Sequence, residues 1–425
     1  MPTPDQWHQW PSTMSINQAA APTALAPRSV LLDSLRGIAL LGILLMNIEC
    51  YTVPLNAGTS GLNPALTGSD RWVDALTYLF VQGKFYTLFA LLFGAGFAIM
   101  ESRALRAQRP FVPFFLRRMA LLLLIGLTHA IFLWAGDILV TYAFWGCVLL
   151  AVRRLPTAFL PLVALVLYFS VPLTLVFYAV MAALMQQLPG QAEIWRHIHD
   201  QTAHDVAVAL QAQRFAIEHA SYGQACRQRL ADFAATCNAL VSNGLAVFAF
   251  FLLGRWFVEA GILCNPSRWS RAAARVRWCV WPAGLLCMAV SIAIEPTMDA
   301  GSLTLSMAVA YLLWQAANVM MCVGYVAWFA HFTPAYLHVF ASAGRMSLSL
   351  YVMQSLICTW LFSHYGLGLY ADLSRAWQAP FAVGFFALQW LFSRWWFKHF
   401  QFGPLEWLLR SASYWQWMPL RRCAT

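Results

Sequence analysis

Few residues of this chain can do chemistry, and most of them stand inside long apolar runs. His129 and Asp137 lie on either side of Trp134-Ala135-Gly136. A histidine beside a carboxylate makes a general base, because the carboxylate fixes the imidazole tautomer and supports the cation formed when a proton is taken. Asn47 and Lys84 fall at a similar depth, where either could stabilise an oxyanion. At the other end of the first apolar run stand Asp33 and Arg36, three apart and so on one helical face. That pair is either a local ion pair at the interface or a frame from which Arg36 meets an anionic ligand. Arg117, Arg118 and Arg345 add guanidinium groups, whose planar forks suit phosphate. Arg345 precedes Ser349 by four residues, and Gln354 follows on the same run. A buried arginine there needs an anion or several carbonyls. Ionisable groups within apolar runs are expensive and mark ligand paths or proton relays.

The elements that must position these groups follow from composition. The chain has 425 residues, 60% hydrophobic and 10% charged, with mean hydropathy +0.60; soluble domains carry about 25% charged residues. The net charge is +10, and all but Lys84 and Lys398 of the 27 basic residues are arginine. These sit in short segments between apolar runs rather than in one basic patch, which excludes a typical nucleic-acid binder and points to a multi-spanning membrane protein. The expected fold is an all-α polytopic membrane bundle of about ten helices. The spans read are 35–53, 85–100, 119–134, 138–152, 158–184, 239–260, 278–294, 303–329, 336–361 and 380–397. Residues 119–152 as one helix would reach about 50 Å, too long for one crossing. They are therefore read as a hairpin turning at Trp134-Ala135-Gly136-Asp137. With the termini inside, 17 basic residues fall in inner segments and 7 in outer ones, the bias expected for a bacterial inner-membrane protein with both ends cytoplasmic.

Residues 1–27 read as a disordered cytoplasmic tail, 28–411 as a single transmembrane domain and 412–425 as a cytoplasmic C-terminal tail. Residues 186–238 form an outer-face insertion, read as two amphipathic helices at the membrane surface. Cys226 and Cys237 both fall there; in one straight helix they would be ~16 Å apart, so a disulfide needs a turn between them. No third ligand accompanies His197 and His204, which share a face, so no metal site is expected. Arg255 and Glu259 read as a self-satisfied pair, Lys84 as snorkelling outward, and residues 402–410 as a turn and an interfacial helix.

Five segments carry a resemblance: LDSLRGIALLGILLMNI at 32–48, GKFYTLFALLFGAGFAIM at 83–100, GLTHAIFLWAGDILVTYAFWG at 126–146, GRMSLSLYVMQSLICTWLF at 344–362 and FSRWWFKHFQFGPLEWLLRS at 392–411. Together they resemble the YeiB-like bacterial membrane proteins, the domain of unknown function 418. That family is similar in turn to the transmembrane acyltransferases, in an LD-x-[LF]-RG opening followed by an Asn about eleven residues after the Arg. Here those residues are Asp33, Arg36 and Asn47. The resemblance implies transfer of an acyl group from cytoplasmic acyl-CoA to an acceptor on the outer face. The acyltransferases place a His in the loop after span one; this sequence has none in 50–84, and His129 is the in-span His that could replace it.

Three readings stand. As an acyltransferase, the chain would hold donor phosphates with Arg36, Arg117, Arg118 and Arg345. His129 and Asp137 would activate the acceptor, and Asn47 or Lys84 would meet the oxyanion. As a transporter of a small anionic or lipid-linked solute, the same groups would line the pathway. As a structural protein, it would need none of them. The expected partners are the lipid bilayer and acyl-CoA as a co-substrate, with no tightly bound cofactor; a homo-oligomer is left open.

Overall fold

The computed structural model describes residues 30–59, 61–263, 269–298, 304–332 and 334–422. The tail read at 1–27 lies outside the described residues. Among the described residues, sixteen α-helices follow in order: α1 Val30–Thr52, α2 Gly68–Phe80, α3 Lys84–Arg106, α4 Phe111–Phe132, α5 Leu139–Ala151, α6 Leu160–Met185, α7 Gln191–Glu218, α8 Tyr222–Asn238, α9 Leu240–Glu259, α10 Ser270–Arg275, α11 Trp281–Ile294, α12 Leu305–His331, α13 Pro334–Arg345, α14 Ser347–Phe362, α15 Arg375–His399 and α16 Pro404–Tyr414. A π-helical turn over Val276–Val280 joins α10 to α11. The described residues hold only two isolated β-bridges and no strand, so the all-α expectation stands. Among the described residues, seven segments are long and apolar enough to cross a bilayer by length and composition; α5 and α14 are apolar but shorter.

The helices sort by which faces they hide. α1 is buried from Leu32 to Thr52, surrounded by α3, α13, α14 and α15. α6 and α11 lie outside, and Leu162, Val166, Leu173, Leu286 and Val290 are exposed along them. Apolar side chains left outward over a helix of spanning length belong against lipid tails. The two ends of the bundle differ. One end gathers the start of α1, the α13–α14 junction and α16. The other carries α2 and the antiparallel pair α7–α8, bonded to the end of α1 by Asn56 N–H donating to Gln213 Oε1 (3.3 Å).

Most expected spans match helices. The 119–152 hairpin is seen as α4 and α5 packed together with a break at 133–138. The outer insertion is the helical pair α7–α8. Cys226 and Cys237 stand on one continuous helix, α8, and both are free.

The span read at 336–361 is the clearest difference. It is two helices, α13 and α14, broken at Met346 (φ −118°, ψ 24°). The run reads as one span although Gly344-Arg345-Met346-Ser347 interrupts its apolar residues at the break. The cause is tertiary. α13 crosses α1 so closely that a methyl group on Gly344 would land on the carbonyl oxygen of Asp33, and one on Gly37 on that of Phe340. The new N-terminus of α14 is then capped from α16. Glu406 Oε1 accepts from Leu348 N–H (2.7 Å) and Ser349 N–H (3.1 Å), and Oε2 from the Ser349 hydroxyl (2.6 Å). A carboxylate there satisfies orphan amides and meets the positive end of the helix. Burial pushes the Glu406 carboxyl above the usual carboxylate range, against the pull of these donors.

A second difference is α2, an amphipathic helix in the outer stretch after span one. Residues 415–422 fold back on the α15–α16 corner, where Trp407 Nε1–H donates to Met418 O (2.7 Å) and Gln401 N–H to Leu420 O (2.9 Å).

The α1–α13 crossing makes a prediction. Gly344→Val should cost about 1–3 kcal/mol by overpacking and lower the thermal midpoint in detergent by several degrees. Gly384→Ala, at a position with nothing within 4 Å of an added methyl, should leave the midpoint unchanged.

Candidate functional site

The α4–α5 break places the central pair. His129 sits in the last turn of α4, and its peptide carbonyl accepts from Leu133 N–H (2.9 Å) and Trp134 N–H (2.8 Å), ending the helix. Asp137 lies just before α5, where its Oδ2 accepts from Val140 N–H (2.8 Å). This orients the carboxylate so that Oδ1 lies 2.8 Å from His129 Nδ1, with both side chains fully buried. The contact is short but off the ring N–H axis, and His129 Nε2 has no hydrogen-bond partner among the described residues. Two aromatic rings flank the imidazole. Tyr351 of α14 lies at 5.1 Å between centroids, tilted; Trp134 lies edge-on at 6.5 Å.

Beneath this pair is a cavity of about 310 Å3, at the low end of the ~300–1,000 Å3 common for small-molecule sites. Four stretches of chain, drawn from α1, α3, α4 and the α13–α14 junction, build it the same way, each with an arginine at one end and apolar residues further along. α1 contributes Arg36, then Leu40 and Ile43; α3 contributes Arg103, then Phe93 and Phe89. α4 contributes Arg118, then Leu122; Arg345 at the end of α13 precedes Leu348 and Tyr351 on α14. Arg410, Asp33 and Glu406 complete the charged end, giving five guanidinium groups against two carboxylates. The far end is closed by Ile138, Leu139, Tyr142 and Tyr351, directly on the His129–Asp137 hairpin.

Arg36 Nη1 is 3.1 Å from Asp33 Oδ1, and both residues line the cavity. Arg345 stacks on the Phe397 ring at 4.0 Å and reaches Gln401 O at 3.5 Å.

Not every expected residue converges here. Arg117 is turned outward and donates from Nε to Ser413 O (3.0 Å). Gln354 is buried between α14 and α15, donating to Gln389 Oε1 (2.9 Å). Lys84 does not snorkel: it is fully buried at the start of α3, and its ammonium donates to Tyr78 O (2.8 Å). Neither Lys84 nor Asn47 lines the cavity. Asn47 nevertheless holds a telling register. It lies one turn beyond Ile43, a cavity residue, and one turn before Tyr51, which lines a separate pocket at the opposite end. Residues four apart share a helical face, so Asn47 stands on the α1 face that passes from one to the other.

Tyr351, Tyr142, Arg103 and Glu406 had no role assigned from sequence. Their only mark there is a polar atom in an otherwise apolar helix. A further cluster was also missed. Arg375, at the start of α15, places Nη2 2.9 Å from Glu49 Oε2 and Nε 2.9 Å from Asp74 Oδ1, and donates to Gln378 Oε1 (2.7 Å). It ties α1, α2 and α15 together at the end opposite the arginines. Arg255 and Glu259 pair at 2.6 Å as expected. Among the described residues, no three His, Cys, Asp or Glu side chains gather as metal ligands would.

Fold and site thus define a polytopic helical membrane protein whose internal cavity gathers five arginines at one end, while a buried His–Asp pair, not itself part of the lining, packs behind Tyr351 at the other. The chain belongs to the YeiB-like DUF418 family. Residues 257–416 match the family model described as a protein of unknown function, DUF418. The chain is 31% identical to the uncharacterized protein YxaH of Bacillus subtilis (strain 168) over 422 residues, 94% of this chain and 98% of that protein. It is also 31% identical to the uncharacterized protein YeiB of Escherichia coli (strain K12) over 402 residues, 91% and 96% of the two chains. No solved structure matches. The family model spans the Arg345, Tyr351 and Glu406 side of the cavity, while His129 and Asp137 lie outside it.

The Arg375 cluster gives the prediction of this section. Arg375→Ala leaves two buried carboxylates without their cation, a loss of about 3–5 kcal/mol, and should abolish the monodisperse peak in detergent size exclusion. Arg375→Met combined with Glu49→Gln and Asp74→Asn, which removes all three charges, should restore most of it.

Proposed function

We propose that this protein transfers an acyl group from a thioester donor, acyl-CoA in class, to an acceptor at the end of the bundle away from the arginines. The observation that supports this most is the cavity itself: a slot with five arginines at one end, apolar and aromatic walls, and a buried His–Asp pair behind the Tyr351 ring at the other. The arginines suit the phosphates of the donor. The walls suit its acyl-bearing arm, whose thioester carbonyl would reach the level of Tyr351. The positive-inside bias of the sequence puts the arginine mouth in the cytoplasm, where acyl-CoA is found.

The chemistry asked of the residues is simple and balanced. An acceptor O–H or N–H gives its proton to His129 as its heteroatom attacks the thioester carbon. Asp137, beside the imidazole, favours the cation so formed. Asn47, on the α1 face between Ile43 and Tyr51, would meet the oxyanion. The C–S bond then breaks, and His129 returns the proton to the thiolate. No covalent intermediate on the protein is needed.

Solute transport is the second reading, favoured by one observation: a cavity closed at one end by an aromatic layer is also the shape of an inward-facing solute site.

Purified protein should show a thermal shift with acetyl-CoA and CoA that Arg36→Ala and Arg345→Ala each reduce by most of its size. His129→Ala should keep that shift and lose transfer at least a hundredfold, within the range for general-base catalysis of 10²–10⁴. A shift given equally by unrelated small anions, or flux of such an anion into sealed vesicles without any acyl donor, would favour transport instead.

A further inference from the structure

The corner where α15 turns into α16 leaves a graded face outward. Along α15, Leu388, Leu391, Trp395 and Lys398 are all exposed. They stand at i, i+3, i+7 and i+10, so they share one helical face. Their order is apolar, apolar, aromatic, basic, which is the order of hydrocarbon, interface and headgroup across one leaflet. Lys398 therefore marks the headgroup level at the arginine end. The C-terminal segment is pinned to that level. Arg422 N–H donates to His399 O (3.1 Å), Gln401 Nε2 donates to Arg421 O (3.0 Å), and Phe400 and Arg421 form an antiparallel bridge. Arg421 and Arg422 are exposed, and so are Trp415 (82%) and Trp417 (79%) on the same segment.

We propose that this corner binds the headgroups of anionic phospholipids, and that the bound lipid seats α16 against the large cavity. The proposal stands on this geometry and not on the acyl-transfer reading. Charge decides the ligand class. Arg394, Lys398, Arg421 and Arg422 are exposed, and none of the four is ion-paired among the described residues. Glu406 is the one acidic residue of 386–422, and both its oxygens are spent on the start of α14. Four basic residues at the end of an apolar helix face, with no acid among them, attract an anionic leaflet. The tryptophans favour a lipid over a dissolved anion. Indole rings left outward at this depth meet acyl chains below the headgroups, and a free phosphate has no chains.

The connection to the cavity runs through α16. The segment packs on that helix: Trp407 stacks on Trp417 (5.3 Å between centroids), Trp407 Nε1–H donates to Met418 O (2.7 Å), and Met418 N–H donates to Ser411 Oγ (3.3 Å). Glu406, Leu409 and Arg410 of the same helix line the cavity. A headgroup held by Arg421 and Arg422 fixes the segment, and the segment fixes the helix that carries this wall.

The test uses the full chain in nanodiscs of phosphatidylcholine alone, or of equal parts phosphatidylcholine and phosphatidylglycerol with the same acyl chains. Native mass spectra of protein released from the mixed discs should retain phosphatidylglycerol about fivefold over phosphatidylcholine, the factor for one basic residue at a charged surface. The triple variant Lys398→Gln, Arg421→Gln, Arg422→Gln should retain both lipids equally. Amide hydrogen exchange over 404–422 should slow severalfold in the mixed discs relative to phosphatidylcholine, while α7, at the other end, stays unchanged. The comparison of the two bilayers with the parent chain stands whether or not the variant folds. Equal retention of the two lipids by the parent, or a preference that survives in the triple variant, overturns the lipid site. So does the same slowing produced by inorganic phosphate in phosphatidylcholine discs, which would make the ligand a free anion. A lipid preference without any slowing over 404–414 overturns the coupling to α16.

Discussion

A helix broken inside a bilayer must find partners for the backbone groups it frees, because the surrounding hydrocarbon supplies none. Two carboxylates meet that requirement here. Asp137 accepts the amide of Val140 at the start of α5, and Glu406 accepts the amides of Leu348 and Ser349 at the start of α14. The architecture of the site depends on these two breaks. The first turns α4 back as α5 and sets Asp137 against His129. The second redirects the chain at Met346, so that Arg345 and Tyr351 both border one cavity. An unbroken helix in either place would carry those groups past the centre of the bundle.

The breaks also explain how one small region connects both ends of the molecule. α1 runs straight through the centre, and its face bears Arg36, Leu40 and Ile43 along the large cavity and Tyr51 at the small pocket. α14 runs beside it with Tyr351 toward the first and Thr359 and Ser363 toward the second. Between them the Tyr51 hydroxyl bonds Ser355 at 2.8 Å, and the Tyr51 ring packs on Trp134 at 4.6 Å. The layer formed by Tyr51, Trp134 and Tyr351 with the His–Asp pair is buried. Electrostatic interactions are strongest in such a setting, which suits a buried base next to its carboxylate.

Much of this was legible in the sequence. The α4–α5 hairpin follows from a length too great for one crossing with arginine pairs at both ends. His129 and Asp137 follow from two ionisable groups flanking its tip. Arg36, Arg118 and Arg345 were each visible as costly charges at the end of an apolar run. What was hidden depended on distant partners. Gly344-Arg345 interrupts the apolar run locally, but the break at Met346 is held by distant partners, the close crossing at Gly37 of α1 and the capping carboxylate of Glu406 on α16. Asp74 and Glu49 show no shared partner in the sequence; α15 brings Arg375 between them. Lys84 read as snorkelling because α2, whose Tyr78 carbonyl takes its ammonium, was not seen as a helix. Arg117 and Arg118 are neighbours in sequence, yet adjacent helical positions point about 100° apart, so only Arg118 faces inward.

The central claim is that the arginine-mouthed cavity holds a thioester donor with its acyl end against the hairpin. Photolabelling with an acyl-CoA that carries a diazirine at the end of a short acyl chain, followed by peptide mass spectrometry, tests it most directly. The account predicts adducts on Tyr351, Ile138 or Leu139, suppressed by excess CoA and by Arg345→Ala. Adducts confined to the outward faces of α6 and α11, insensitive to CoA, would contradict it.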